Sequence, residues 1–233
     1  MASPGEMVKV IAGVLGVPEP QVVQHDRNLT VAGLRTVGGR GRSAAKMTPL
    51  DAANLLIGVT ASSMVKETVE IVNEYADLPS ASGEMSVRKD ARSFENNGNP
   101  PTTWNLPGFP IPALLALPEH HTFRSALVAL IEAATNDTLC DAIKKLTPFS
   151  EEHHIPNFWN IEVILMGPYP QASIRIYCKD FSEKHIYSAI PTDIDAIMKW
   201  SDEISGKRDD GDLKQIREFS AKTILALGNL LKR

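Results

Sequence analysis

Apolar residues in the first third of the chain return at helical spacing. Met7, Val8, Ile11, Ala12 and Leu15 recur every three or four positions, which predicts an amphipathic helix. Ser3-Pro4-Gly5-Glu6 ahead of them has the form of a capping box, with a hydroxyl at the N-cap, proline at the first helical position and a carboxylate placed to reach back to the N-cap amide. Gly16 suits the left-handed cap at the other end. Pro18-Glu19-Pro20 then turns the chain into a second helix through Gln21 to Ala32, since proline is tolerated only in a first turn. Val22, Val23 and Leu29 face the first helix, and Gly33 ends the second. Thr48-Pro49-Leu50-Asp51 repeats the capping signature before an apolar body from Ala52 to Val59. A fourth helix, capped at Ser62 or Ser63, is predicted by Val65, Val69, Val72 and Ala76.

Past residue 120 the pattern becomes mixed. Thr122 opens an apolar helix through Leu127, Val128, Leu130, Ile131 and Ala134, and a shorter one runs from Thr138 to Leu146. Asn160 to Met166 and Gln171 to Cys178 have strand character, with Gly167-Pro168-Tyr169-Pro170 as the turn of an antiparallel hairpin. His185 to Ile190 adds a third strand. Thr192 and Asp195 start a short helix, an acidic-basic loop spans Ser201 to Gly211, and a final amphipathic helix from Asp212 carries Leu213, Ile216, Phe219, Leu227 and Leu230. An α+β fold follows, with helices first and a small antiparallel sheet afterwards.

Composition divides the chain. Pro79 opens a polar stretch holding four prolines and three glycines before residue 109, so residues 79–108 read as a linker between an N-terminal module (1–78) and a C-terminal α+β domain (109–233). The 233 residues are 43% apolar and carry a net charge of −4, which rules out a polybasic coat or a fibrous protein. Charge is uneven, however. Residues 1–50 stand at +3, leaving −7 for the rest, and five of their six basic side chains fall between Arg27 and Lys46. Two cysteines, Cys140 and Cys178, are too few for a disulfide framework and fit no paired zinc spacing. No stretch reads as a signal peptide or a membrane span, so a cytoplasmic protein that does not engage membranes is expected.

The chemistry-bearing residues lie in the basic window. Gln21, Gln24, Arg27 and Asn28 share the side of the second helix away from Val22 and Leu29, an amide-rich face suited to bidentate contacts with base edges or phosphate. After it comes Leu34-Arg35-Thr36-Val37-Gly38-Gly39-Arg40-Gly41-Arg42-Ser43-Ala44-Ala45-Lys46-Met47, whose glycines permit close backbone approach while Arg35, Arg40, Arg42, Ser43 and Lys46 offer donors to phosphate oxygens. Its flanks are expected to pair as a hairpin, forming a wing. The bland readings are a solvated surface turn for the loop and a pairing of Arg27 with Asp26 or Asp51. A nucleotide P-loop is disfavoured because no Gly-Lys-Ser/Thr ending follows.

The order helix, turn, helix, basic wing, helix resembles the MerR-like winged helix-turn-helix, through Gly16-Val17, Val22, Asp26-Arg27, Leu29 and Gly33-Leu34. The run AGLRTVGGRGRSAAKMTPLDAANLLIGV is similar to the N-terminal region of phage- and prophage-encoded regulatory proteins of bacteria. The resemblance covers residues 4–60 and implies a sequence-specific regulator of transcription on double-stranded DNA. No metal-binding cysteines or coiled-coil linker follow, which disfavours a metal sensor.

The C-terminal half offers little chemistry. His120-His121 and His153-His154 match no closed zinc site, and no nucleophile elbow, dinucleotide fingerprint or H-E-x-x-H occurs. No catalytic residue, metal or cofactor is therefore expected, and an enzyme or ligand sensor has no motif behind it. The domain is expected to make a homodimer through the helix near Leu213 to Leu231, so that two modules engage paired half-sites. The competing class is a phage DNA-packaging component resembling a small terminase, which would build a ring instead.

Overall fold

The computed structural model describes residues 2–39, 45–87, 111–146, 159–178, 181–191, 194–205 and 214–232. Within them the fold is mixed α+β. The Ser3 hydroxyl accepts from the Glu6 amide at 3.3 Å while the Glu6 carboxylate accepts from the Ser3 amide at 2.8 Å, so the first capping box forms and starts α1 (Pro4–Leu15). Gly16, at φ 67°, supplies the left-handed cap, and α2 (Glu19–Val31) follows. Thr48 and Asp51 reproduce the capping box ahead of α3 (Pro49–Ala61). Ten of the 13 residues of α3 are buried, so this helix has no polar face to give to solvent and lies at the centre of the helical layer. A single 3-10 turn, Val65–Glu67, leads into α4 (Thr68–Ala76).

Next come β1 (Ser80–Val87), the short α5 (Pro112–Leu115), α6 (Phe123–Thr135) and α7 (Thr138–Leu146). They precede β2 (Trp159–Gly167), β3 (Gln171–Cys178), β4 (Phe181–Ser188), α8 (Ile194–Ser205), β5 (Gln215–Ser220) and α9 (Ala221–Leu231). The five strands make one antiparallel sheet in the order β1-β4-β3-β2-β5. The expected hairpin is β2–β3, and its period of two is visible in the packing. Ile161, Val163 and Leu165 lie opposite Ile176, Ile174 and Ala172, and all six are buried. The helices cover that face, with α3 and α9 resting against β2 and β5. On the other face Arg175, stacked over the Tyr177 ring at 4.8 Å, bonds the Ser182 hydroxyl at 2.9 Å, while the Tyr177 hydroxyl donates to Glu162 at 2.8 Å.

Four expectations need correction. The segment after Pro79 begins with a strand, β1, held to β4 with a register shift between Ser80 and Ser82; residues 88–108 lie outside the described residues. The supposed single helix from Asp212 is a strand and then a helix. Gln215 to Ser220 completes the sheet beside β2, and the Ser220 hydroxyl caps α9. Residues 201–205 continue α8 rather than opening a loop. Finally, no break in packing marks residue 78 among the described residues: α1 packs on α9 and α3 on α6, and one hydrophobic core takes in residues from Ala2 to Leu230. The stripe on α9 that suggested a dimer seam is filled from within, by Ile224 and Leu227 buried against these helices.

Candidate nucleic-acid interface

The two sides of α2 are chemically distinct. Val22, His25, Asp26 and Leu29 are buried. Gln21, Gln24 and Arg27 are exposed, and their side chains have no hydrogen-bond or ion-pair partner among the described residues. Spacings of three and four residues continue their stripe to Val31, which is 91% exposed. Asn28, assigned to this face from the sequence, is half-buried and donates from its amide to the Val65 carbonyl at 2.7 Å. That bond ties α2 to the turn before α4, so Asn28 belongs to the scaffold.

Arg35 is likewise committed inside the protein. Its guanidinium lies 2.8 Å from the Asp26 carboxylate and donates to the Thr30 hydroxyl and the Thr36 carbonyl, each at 2.8 Å. Both side chains of the pair are only 12% exposed. Burial pushes the Asp26 carboxyl above the usual range, the Arg35 charge pulls it back, and nearby Asp51 adds to the rise. The partner weighed for Asp26 from the sequence was Arg27, which instead faces solvent. A signal for this was present: Asp26 sits four residues after Val22 and three before Leu29, on the buried side of the helix.

The glycine-rich loop is held at both margins. The Leu34 carbonyl accepts from Asn54 at 2.8 Å, and the Thr36 amide donates to Asp51 at 2.7 Å, fastening its start to α3. Its far side is fastened by the Met47 amide, which donates to the Ala2 carbonyl at 3.0 Å. Asp51 thus serves two ends at once, capping α3 with one oxygen and gripping the loop with the other. Val37, Gly38, Gly39 and Lys46 are exposed. Among residues 34–39 and 45–48 no strand forms, so the expected hairpin is absent from the described part of the wing. Arg40, Arg42 and Ser43 lie outside the described residues.

Other polar groups form closed or acidic environments. His25 Nδ1 is 2.7 Å from the Thr68 hydroxyl, which itself donates to the Val65 carbonyl; the imidazole must therefore be the donor, and burial holds its pKa down. His121 Nδ1 lies 2.9 Å from the Pro118 carbonyl, which can only accept, so Nε2 accepts from Tyr187 at 3.0 Å. Burial lowers the His121 pKa, and His185 lowers it further against the opposing pull of the Pro118 bond. Beside them Glu183 and His185 meet at 2.8 Å, both buried, and burial raises the Glu183 carboxyl. These groups lie beneath the surface, where a substrate has no access. A concavity of about 410 Å³ between α4 and the β2–β3 turn is walled by Glu67, Glu70 and Glu74, while Arg217 at its edge is bound to the Thr60 and Ser62 carbonyls. Its charge opposes phosphate.

Among the described residues no group of three His, Cys, Asp or Glu side chains is arranged to hold a metal ion, and no helix is long and apolar enough to cross a membrane. His153 and His154 lie outside the described residues. The arrangement defines an α+β protein in which a helix with an exposed polar stripe is followed in the chain by a glycine-rich segment whose described ends are anchored. Comparison with family models, with curated proteins and with solved structures returned no match.

Proposed function

We propose that the protein is a sequence-specific, double-stranded DNA-binding regulator of transcription of phage or mobile-element type, acting in the cytoplasm as a homodimer and without enzymatic activity. The observation that carries this reading is the exposed stripe Gln21, Gln24, Arg27 and Val31 on α2, followed in sequence by a basic segment whose start is fixed to α3. Glutamine amides pair bidentately with adenine, an exposed valine offers its methyl groups to thymine, and arginine reads guanine or grips phosphate. In this reading α2, packed on α1, is the recognition helix, and Arg40, Arg42, Ser43 and Lys46 are the sequence's phosphate-binding complement. Asn28 and Arg35 drop out of the contact set, because each already has an internal partner.

The test is selection of bound fragments from genomic DNA by the full chain, followed by footprinting and single substitutions. Gln24→Ala relaxes preference at one base pair by about 1–3 kcal/mol, whereas Arg42→Ala weakens binding to all sequences alike and reduces the salt slope by about one unit. No enrichment of any duplex at low salt, or equal losses from both variants on every sequence, overturns the reading.

A further inference from the structure

We infer that the free edge of β5 pairs with the same edge of a second copy of this chain, joining two sheets about a two-fold axis at Ile216. This gives a surface to the homodimer of the preceding proposal and rests on that part of it, though not on DNA binding. The two ends of the sheet differ. On one side β1 carries a register irregularity between Ser80 and Ser82, a device that discourages pairing with another chain. On the other side β5 runs in unbroken register against β2 from Gln215 to Ser220, and it has no second neighbour among the described residues. Its sequence contains no proline.

Side-chain order specifies the partner. Phe219 is buried on the helix-covered face, and Arg217 on the same side bonds the Thr60 and Ser62 carbonyls at 2.9 and 2.7 Å, which fixes the strand against α3. The opposite face presents Lys214, Ile216 and Glu218, all exposed, with Ile216 at 58%. Read as charge, this is plus, apolar, minus, a pattern that is its own complement when the strand is reversed. Antiparallel pairing centred on Ile216 sets Lys214 of each copy opposite Glu218 of the other, twice, and Ile216 opposite itself. Met166 is the neighbour of Ile216 in β2, so the apolar row continues from one sheet into the next. Isolated gatekeeper charges would protect an edge equally well with one sign; opposite signs placed symmetrically about an exposed isoleucine favour self-pairing.

The experiment is sedimentation of the full chain without DNA, at micromolar concentrations, for the wild type and a charge-exchange set. The wild type sediments as a dimer. Glu218→Lys sets lysine against lysine in both pairs and raises the dissociation constant about tenfold or more, since two cross-strand attractions become repulsions. Lys214→Glu combined with Glu218→Lys restores the dimer. In parallel, Ile216→Cys gives a disulfide-linked dimer under mild oxidation, because paired Cβ atoms on facing strands lie near bridging distance. Gln215→Cys, and the wild type with only Cys140 and Cys178, do not. A monomeric wild type, or a dimer indifferent to Glu218→Lys and uncrosslinked at Ile216, overturns the proposal. Duplex binding by the monomeric Glu218→Lys variant is read separately, so failure of the interface is distinct from failure of the DNA reading.

Discussion

Replacing Gly228 by alanine tests the packing of α9 on α6. A Cβ at this position in α9 would lie 2.6 Å from Ala134 Cβ, 2.7 Å from the Ala134 carbonyl carbon and 2.9 Å from its oxygen. Carbon atoms in ordinary contact sit about 3.5–4.0 Å apart. The helices would have to separate by about 1 Å, and two of the three obstructing atoms are backbone. Overpacking of this kind costs about 1–3 kcal/mol, against which alanine recovers about 1 kcal/mol of helix propensity. The expected net is a loss of up to about 2 kcal/mol in urea unfolding, read as a lower midpoint at unchanged slope. Gly13 in α1 is the internal control. Nothing lies within 4 Å of a Cβ placed there, so Gly13→Ala keeps only the propensity term and stabilises by up to about 1 kcal/mol. The two substitutions are chemically identical and differ in sign solely because α9 rests on α6. If Gly228→Ala stabilises as Gly13→Ala does, α9 is not seated on α6 and its apolar stripe is available to a partner.

Arg35→Ala leaves the Asp26 carboxylate buried beside Asp51 and is expected to cost about 3 kcal/mol or more of unfolding free energy, measured by urea titration. Gln24→Ala, on the exposed side of α2, changes stability by less than about 0.5 kcal/mol; equal losses from the two would contradict the division of the helix into scaffold and contact faces. Acidification supplies the remaining test. His25 and His121 have lowered pKa values in the fold, so the unfolded chain takes up their protons first, and stability falls as pH drops below about 6.5. Glu183, raised by burial, acts in the opposite sense, favouring the fold at acid pH and losing that contribution as pH rises through its folded value. Urea midpoints between about pH 7.5 and 5.5 should therefore decline, and His25→Gln with His121→Gln should flatten the decline; an unchanged slope refutes the assignment of neutral buried imidazoles.

Local signals carried the sequence reading where the chemistry is local. Ser3 with Glu6 and Thr48 with Asp51 mark helix starts because their hydrogen bonds close within four residues. Glycine at position 16 marks a stop because only its own backbone is concerned. The hairpin β2–β3 was legible from its turn and its alternation. Strand β5 was not, because Ile216 and Phe219 fit a helical stripe as well as a strand whose outward Ile216 and inward Phe219 lie on opposite faces. Only β2, fifty residues earlier in the chain, decides between these. The same holds for β1, whose Ser and Gly content reads as linker until β4 pairs with it. In the candidate site, exposure of Gln21, Gln24 and Arg27 follows from helical phase, whereas the internal partners of Asn28 and Arg35 do not. Their partners, Val65 and Asp26, are set by how α4 and the post-helix turn fold back on α2.

That folding back decides what kind of DNA reader this chain would be. A detachable helix-turn-helix module buries its own core, so its reading head survives separation from the domain that dimerises it. Here α3, almost wholly buried, lies between α2 and α4 on one side and α6 and β2 on another. The α1 helix, which would brace the recognition helix, rests on α9 at the far end of the sequence. A shift of α9 over α6 therefore bears directly on α1, and through it on the angle at which α2 presents Gln21, Gln24 and Arg27. The sheet is the floor on which α3 and α9 sit, and in the proposed dimer its β5 edge would set the distance between two such floors. Spacing between half-sites would then be a property of the sheet, and base preference a property of α2. The two are linked by one continuous apolar core instead of a linker.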